Sequence, residues 1–326
     1  MLRDERYAWP MHDPLVDLAT VPPIPWHAAL LATRARLARL VADLLTVPDD
    51  RIAEPWTWRP GDLEQLEGRD AMYRIHERLE AAITAIDTGR SLAAGPPIGP
   101  AVPPLAAMTT ARWDLHGLLW PLDDAIWDEA PTGEWSIRRT VAHTIGSQRS
   151  YGWLNAWYLR EAVVGRDVPY PPDEVFPPEP SDEDDGAGSS AEVRARLDSV
   201  VDANAAAIPE LDDAAMRISA RWAQLHVTMD FRLGRYGSHI REHTIQVDKT
   251  LAMLGRDPTE TDRLVRLVVA TYGRLEARFV GRQPDELERP LRGDSASTAV
   301  AILDAAMDDA AALAAAIRAG IPVGGV

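Results

Sequence analysis

The chain has 326 residues, 46% of them hydrophobic, no cysteine and a formal net charge of −16. The apolar share suffices for a sizeable core and excludes global disorder, while the missing thiols exclude disulfides, thiolate metal sites and a cysteine nucleophile. The acidic balance argues against nucleic acid, because a binder must neutralise phosphates with a basic patch and no dense arginine cluster is present.

Ala, Leu and Arg are abundant and Phe occurs three times, which favours helices, since those residues lose little freedom in a helix. Of 34 basic residues only Lys249 is a lysine, the bias of a GC-rich bacterial genome. Met1 to Pro25 is studded with Asp, Glu, Arg and Pro, which predicts no signal peptide. No segment reaches the roughly 20 uncharged apolar residues of a bilayer span. The expectation is a bacterial cytoplasmic protein with no membrane partner, either monomer or homodimer.

In chain order, apolar periodicity predicts helices over 27–46, 63–88, 105–120, 137–161, 191–208, 212–254 with a break near Gly234, 259–280 and 296–318. Ser91 to Pro104 holds five prolines and reads as a linker. Asp167 to Ser190 begins Pro-rich and ends acidic and Gly-rich, with seven acids between Asp173 and Asp185. It is predicted to be a long exposed loop. Asp49-Asp50, Asp123-Asp124 and Asp212-Asp213 each follow an apolar helix, as a weak repeat or as three separate corner caps. With the repeat, the chain is all-α and holds two bundles. A central four-helix bundle occupies 105–258, and the flanks 1–104 and 259–326 combine into a second.

Arg235 to Leu254 reads RYGSHIREHTIQVDKTLAML. On a helix His239 and His243 stand one above the other. At about 100° per residue, His243 lies about 40° and Gln246 about 20° from His239. Ile240, Val247, Leu251 and Leu254 form the adjacent apolar stripe, while Arg241, Glu242 and Asp248 point elsewhere. Partly buried imidazoles need partners, because an unsatisfied buried polar group costs about 1–3 kcal/mol. One such pair among eight histidines is weak evidence without a third ligand. His143 is the candidate, on a helix opened by Trp135 and a Ser136 N-cap, and it shares a face with Ser147, Ser150, Leu154 and Trp157. Taken by itself, that position favours a hydrogen-bonded core histidine over a ligand. His12, His27, His76, His116 and His226 read as structural.

Gly133-Glu134-Trp135-Ser136 with His143 seven residues on, then His239-x-x-x-His243-x-x-Gln246 and a closing Leu254-Gly255, resembles the signature of the DinB-like superfamily. That superfamily includes metal-dependent thiol S-transferases such as the mycothiol-dependent maleylpyruvate isomerases. The resemblance covers about 105–258 and implies that His143, His239 and His243 bind one divalent metal in a DinB-like four-helix bundle. Three neutral imidazoles leave a coordination position open, as catalytic sites do. All-nitrogen ligation suits zinc, nickel or iron(II). Such a metal either stabilises the thiolate of an external thiol or generates hydroxide from water.

The resemblance favours the thiol, with mycothiol or another small thiol as cofactor and a small electrophile as its partner. The expected activity is a metal-dependent transferase or isomerase. The alternatives are a metal-activated hydrolase and a non-catalytic, metal-stabilised helical stress-response module. Gln246 is expected to orient a ligand imidazole from behind. Ser147, Ser150, Tyr151, Arg232, Arg235 and Tyr236, within one or two turns of the ligands, are candidate substrate-pocket residues.

Overall fold

The computed structural model describes residues 27–57, 65–93, 98–162, 170–207, 210–292 and 297–320. Met1 to Pro25, with His12 and the signal-peptide reading, lies outside these residues, as do the side chain of His27 and parts of both predicted linkers. The described chain is mostly helical. The helices of the first half are α1 (His27–Leu44), α2 (Gly68–Ala93), α3 (Val102–Leu119), α4 (Asp124–Asp128), α5 (Ile137–Glu161) and α6 (Asp182–Gly186). They are followed by α7 (Ser190–Ala207), α8 (Asp213–Met216), α9 (Met229–Met253), α10 (Glu260–Glu276), α11 (Pro284–Leu287) and α12 (Ala299–Gly320). Two antiparallel hairpins interrupt them: β1 (Pro55–Thr57) with β2 (Gln65–Glu67), and β3 (Ser219–Trp222) with β4 (Leu225–Thr228). None of the described helices is long and apolar enough to cross a membrane.

The chain divides into two compact units. In the unit formed by 23–97, 113–122 and 255–326, α2 packs against α10 and α12, and α1 against α12. Leu37, Val41, Ile75, Leu79, Val268, Leu303 and Met307 fill their shared core. Arg34 grips the buried Glu276 carboxylate with two hydrogen bonds, at 2.9 and 2.8 Å, and the Tyr272 hydroxyl donates a third.

In the other unit α5 is central, packed against α6, α7 and α9. Ile137, Val141, Ile145, Leu197, Val201, Leu233, Ile240 and Val247 are all buried. On α5 and α7 these residues recur at steps of four and on α9 at steps of seven, the spacings that gather them on one face. The first half of α3 approaches α9 so closely that a Cβ on Gly237 would lie 3.1 Å from the backbone of Ala107 and Met108. Ser136 starts α5 by accepting from the Arg139 amide at 3.2 Å. Gly255, at φ +68°, ends α9 in the left-handed conformation that glycine takes without steric cost. Two acidic corners cap their own helices, Asp123 accepting from Ile126 N and Asp212 from Ala215 N, whereas Asp49 accepts from Thr261 N, 212 residues away.

Three expectations change. The helix predicted over 212–254 begins at Met229, because 219–228 pairs as a hairpin with Ser219 opposite Thr228 and Trp222 opposite Leu225. Alternating residues with several aromatic and β-branched side chains suit a ribbon better than a helix. No break occurs at Gly234, where a Cβ would meet nothing within 4 Å. The proline-rich linker is shorter than predicted. Pro103 and Pro104 sit in the first turn of α3, where a missing N–H leaves no bond unmade.

The acidic run is not simply an exposed loop. Ser181 and Asp184 form a capping box that starts α6. Asp185 is buried in a bidentate pair with Arg149 of α5, at 2.9 and 2.7 Å. Arg138 and Arg196 donate to the carbonyls of residues 185–188.

Candidate metal centre

α5 and α9 bring the three histidines together. His143 is half-buried; His239 and His243 are buried, at 8% and 9% exposure. One nitrogen from each ring lies within 4.8 Å of the others. The two α9 rings meet Nε2 to Nε2 at 3.1 Å, close to the about 3.3 Å that separates two nitrogens on one tetrahedral zinc. Gln246 Oε1 lies 2.9 Å from His243 Nδ1. An amide oxygen can only accept, so it fixes the proton on Nδ1 and leaves the His243 Nε2 lone pair facing the cluster.

His239 Nδ1 is buried without a hydrogen-bond partner. If His239 donated through Nε2 to His243, its Nδ1 lone pair would be orphaned; if it carries its proton on Nδ1, two Nε2 lone pairs face each other. A cation between the rings satisfies the facing lone pairs, so the donor set fits a divalent metal. Burial first, then His243, His143 and Arg235, pushes His239 down to about 3. Burial also lowers His243, against the opposing bond to Gln246. Both rings are therefore neutral at pH 7, the form that ligates metal.

The surroundings are aromatic and polar. Trp135, itself under the Arg139 guanidinium, packs its edge on His143 at 5.1 Å. Ser147 Oγ lies 3.3 Å from His143 Nε2. Tyr151 stands edge-on to His239 at 5.3 Å and to Trp222 at 5.1 Å. Burial raises the Tyr151 phenol although Arg235 bonds to it. Arg235 is also held by Glu242 at 2.6 and 2.9 Å.

Of the candidate pocket residues, Ser147 and Tyr151 thus touch the cluster, and Arg235 reaches it through Tyr151. Tyr236 is wholly buried, its phenol raised by burial, and Arg232 is turned towards Asn155 and the β3–β4 hairpin. Ser150 is half-buried and makes no hydrogen bond among the described residues. Among the other histidines, His76 bonds to Thr271 Oγ1 at 2.8 Å and His116 is buried beside Trp113. Trp222 and Asn155 were not among the sequence candidates; the only available signal for Trp222 was the alternation of 219–228.

The fold and site define a helical bundle in which three histidines from two helices converge and could hold a metal ion. Residues 107–247 match the DinB superfamily, and this stretch is a DinB superfamily domain. No curated protein and no solved structure matches the chain.

Proposed function

We propose that His143, His239 and His243 hold one divalent ion, zinc in the first instance, and that the protein uses it as a transferase or isomerase acting with a low-molecular-weight thiol. The observation that carries this reading is the convergence of three imidazoles, two of them buried and neutral, with no carboxylate among them. When bound, the ion supplies positive charge that stabilises a thiolate below the usual thiol pKa of about 8.5. The thiol comes from outside, since the chain has no cysteine; mycothiol or a similar cytoplasmic thiol fits that role.

The chain's own residues contribute orientation and proton control. Gln246 fixes the His243 tautomer. Tyr151 keeps its proton at neutral pH because burial raises it, and Arg235 occupies its oxygen as a donor. Its O–H would therefore be left to donate to a carbonyl oxygen of the electrophile, which takes up the electron pair of the conjugated carbon–carbon π bond as sulfur bonds to its far carbon, while the thiol proton passes to solvent.

Zinc titration of dialysed protein should reach one ion per chain, and His239→Ala should abolish it. In cobalt(II)-loaded protein, a small thiol should change the visible d–d spectrum. Response to hydroxamate or phosphate but not to thiol would replace this reading by a hydrolase. Full metal retention after substitution of all three histidines would end it.

A further inference from the structure

Of the three clustered imidazoles, His143 is the one only half-buried, so the cluster faces outward at that ring. The group that covers it is Trp135, edge-on at 5.1 Å. Along α5, Ser147 and Tyr151 follow His143 by one and two turns, whereas Trp135 comes before the first residue of the helix. Trp135 therefore reaches the site from the other end of α5. The Arg139 guanidinium lies over the same indole at 4.6 Å.

Trp135 follows a turn that stands free of the bundle. The Glu134 amide donates to the Pro131 carbonyl at 3.0 Å, and Gly133 takes φ +79°. Thr132 and Gly133 are exposed, and a Cβ on Gly133 would meet nothing within 4 Å. Among the described residues, one side-chain hydrogen bond joins 131–135 to α9: the Lys249 ammonium donates to Glu134 Oε2 at 2.7 Å. Lys249 stands about one helical turn beyond Gln246, which holds His243 through Nδ1. Glu134 is thus tied to the helix that carries two of the histidines, and the next residue rests on the third.

We propose that the Glu134–Lys249 pair is the latch of a lid whose working part is the Trp135 ring, and that this lid sets the rate at which a divalent cation enters and leaves the histidine cluster past His143. Glu134 and Lys249 are positioning residues, acting through Trp135. The gating rests on the metal reading above; the placement of the lid does not. The two side chains are 29% and 49% exposed, and an exposed ion pair biases an equilibrium by about fivefold at most. That is little for a structural tie and enough for a lid, which has to open. The chemistry of the cation points the same way. Arg235 clamps Glu242 with two bonds, at 2.6 and 2.9 Å, in the fork geometry that fixes orientation. The Lys249 ammonium is a rotatable point charge and makes one, so the single lysine of the chain stands where the looser bond is made.

The test compares the wild type with Lys249→Met, Lys249→Arg and the exchanged pair Glu134→Lys with Lys249→Glu, all as full chains. In metal-free protein labelled with fluorotryptophan, the Trp135 resonance is assigned by its loss in Trp135→Phe. It should move towards the solvent-exposed position in Lys249→Met and return in the exchanged pair. With cobalt(II), uptake and chelator-driven release should both quicken about threefold to fivefold in Lys249→Met, while the dissociation constant stays the same, because a lid alters both rates alike. About 1 M sodium chloride, which shortens the screening length to about 3 Å, should bring the wild type to the rates of Lys249→Met and leave that variant unaltered. Lys249→Arg should be no faster than the wild type. Faster release with a matching loss of affinity would overturn the lid in favour of a merely structural bond, and an unmoved Trp135 resonance in Lys249→Met would overturn it too. Failure of the wild type to take up cobalt would end the metal reading and the gating together; equal rates in a wild type that does take up the ion would end the gating alone.

Discussion

His239 makes the metal-free protein sensitive to mild acid. Its folded-state pKa is down to about 3, through burial and then the neighbouring His243, His143 and Arg235, against about 6.5 in the unfolded chain. The unfolded state therefore binds more protons at any pH between those values. Stability from this group is complete above about 6.5 and declines as pH falls towards 3. Each pH unit in that window corresponds to about 1.4 kcal/mol per group. From pH 7.5 to 5.0 the loss is about 2 kcal/mol from His239, and His243 adds in the same direction.

With a urea slope of about 2 kcal/mol per molar, the unfolding midpoint should fall by about 1 M over that interval. The measurement is urea titration of chelator-treated protein, followed by the indole N–H signal of Trp222 so that only the unit carrying the site is read. His239→Leu should lose about half of the pH dependence or more, and His239→Leu with His243→Leu nearly all of it. Equal midpoint shifts in wild type and double variant would refute the account, since carboxylates would then be responsible.

Two further outcomes test the packing around the site. Asp185→Asn should destabilise the protein by about 3 kcal/mol, because the buried end of the pair is lost and the half-buried Arg149 is left without its bidentate partner; adding Arg149→Leu should recover part of the lost thermal stability. Gly237→Ala should cost about 1–3 kcal/mol by pushing α9 off the Ala107 backbone, whereas Gly234→Ala on the open side of the same helix should add up to about 1 kcal/mol.

Much of the helical frame was legible because its periodicity is long: α5 was expected at 137–161 and spans Ile137–Glu161. The histidine trio was legible only through the combined order of Trp135, His143, His239 and His243, since no single spacing distinguishes a ligand from a core imidazole. The β3–β4 hairpin was hidden because it is ten residues long and flanked by helices, so a window of helical length averages it away. Asp185 was hidden for a different reason. It sits in a run of like charges that reads as solvated, and its burial depends on Arg149, 36 residues away. Long-range pairing of that kind leaves no local pattern.

The interior of the bundle carries more polarity than packing of the two helices requires. Along α9, Arg232, Tyr236, His239 and His243 recur at steps of four, three and four, so they form one inward line. Opposite them on α5 stand Asn155, Tyr151, Gln148 and His143. Their contacts run in parallel: Asn155 with Arg232, Gln148 with the Tyr236 carbonyl, Tyr151 with His239, and His143 with both α9 histidines. Apolar residues of similar volume would pack such a seam at no loss of stability and often with a gain. Arg232 Nη2 at one end, Gln148 Oε1 between and His239 Nδ1 near the other end lack hydrogen-bond partners. A seam kept polar only to fix helix register would be satisfied by its own residues. Here buried groups stay unmet at both ends and in the middle of the seam, which register alone does not explain.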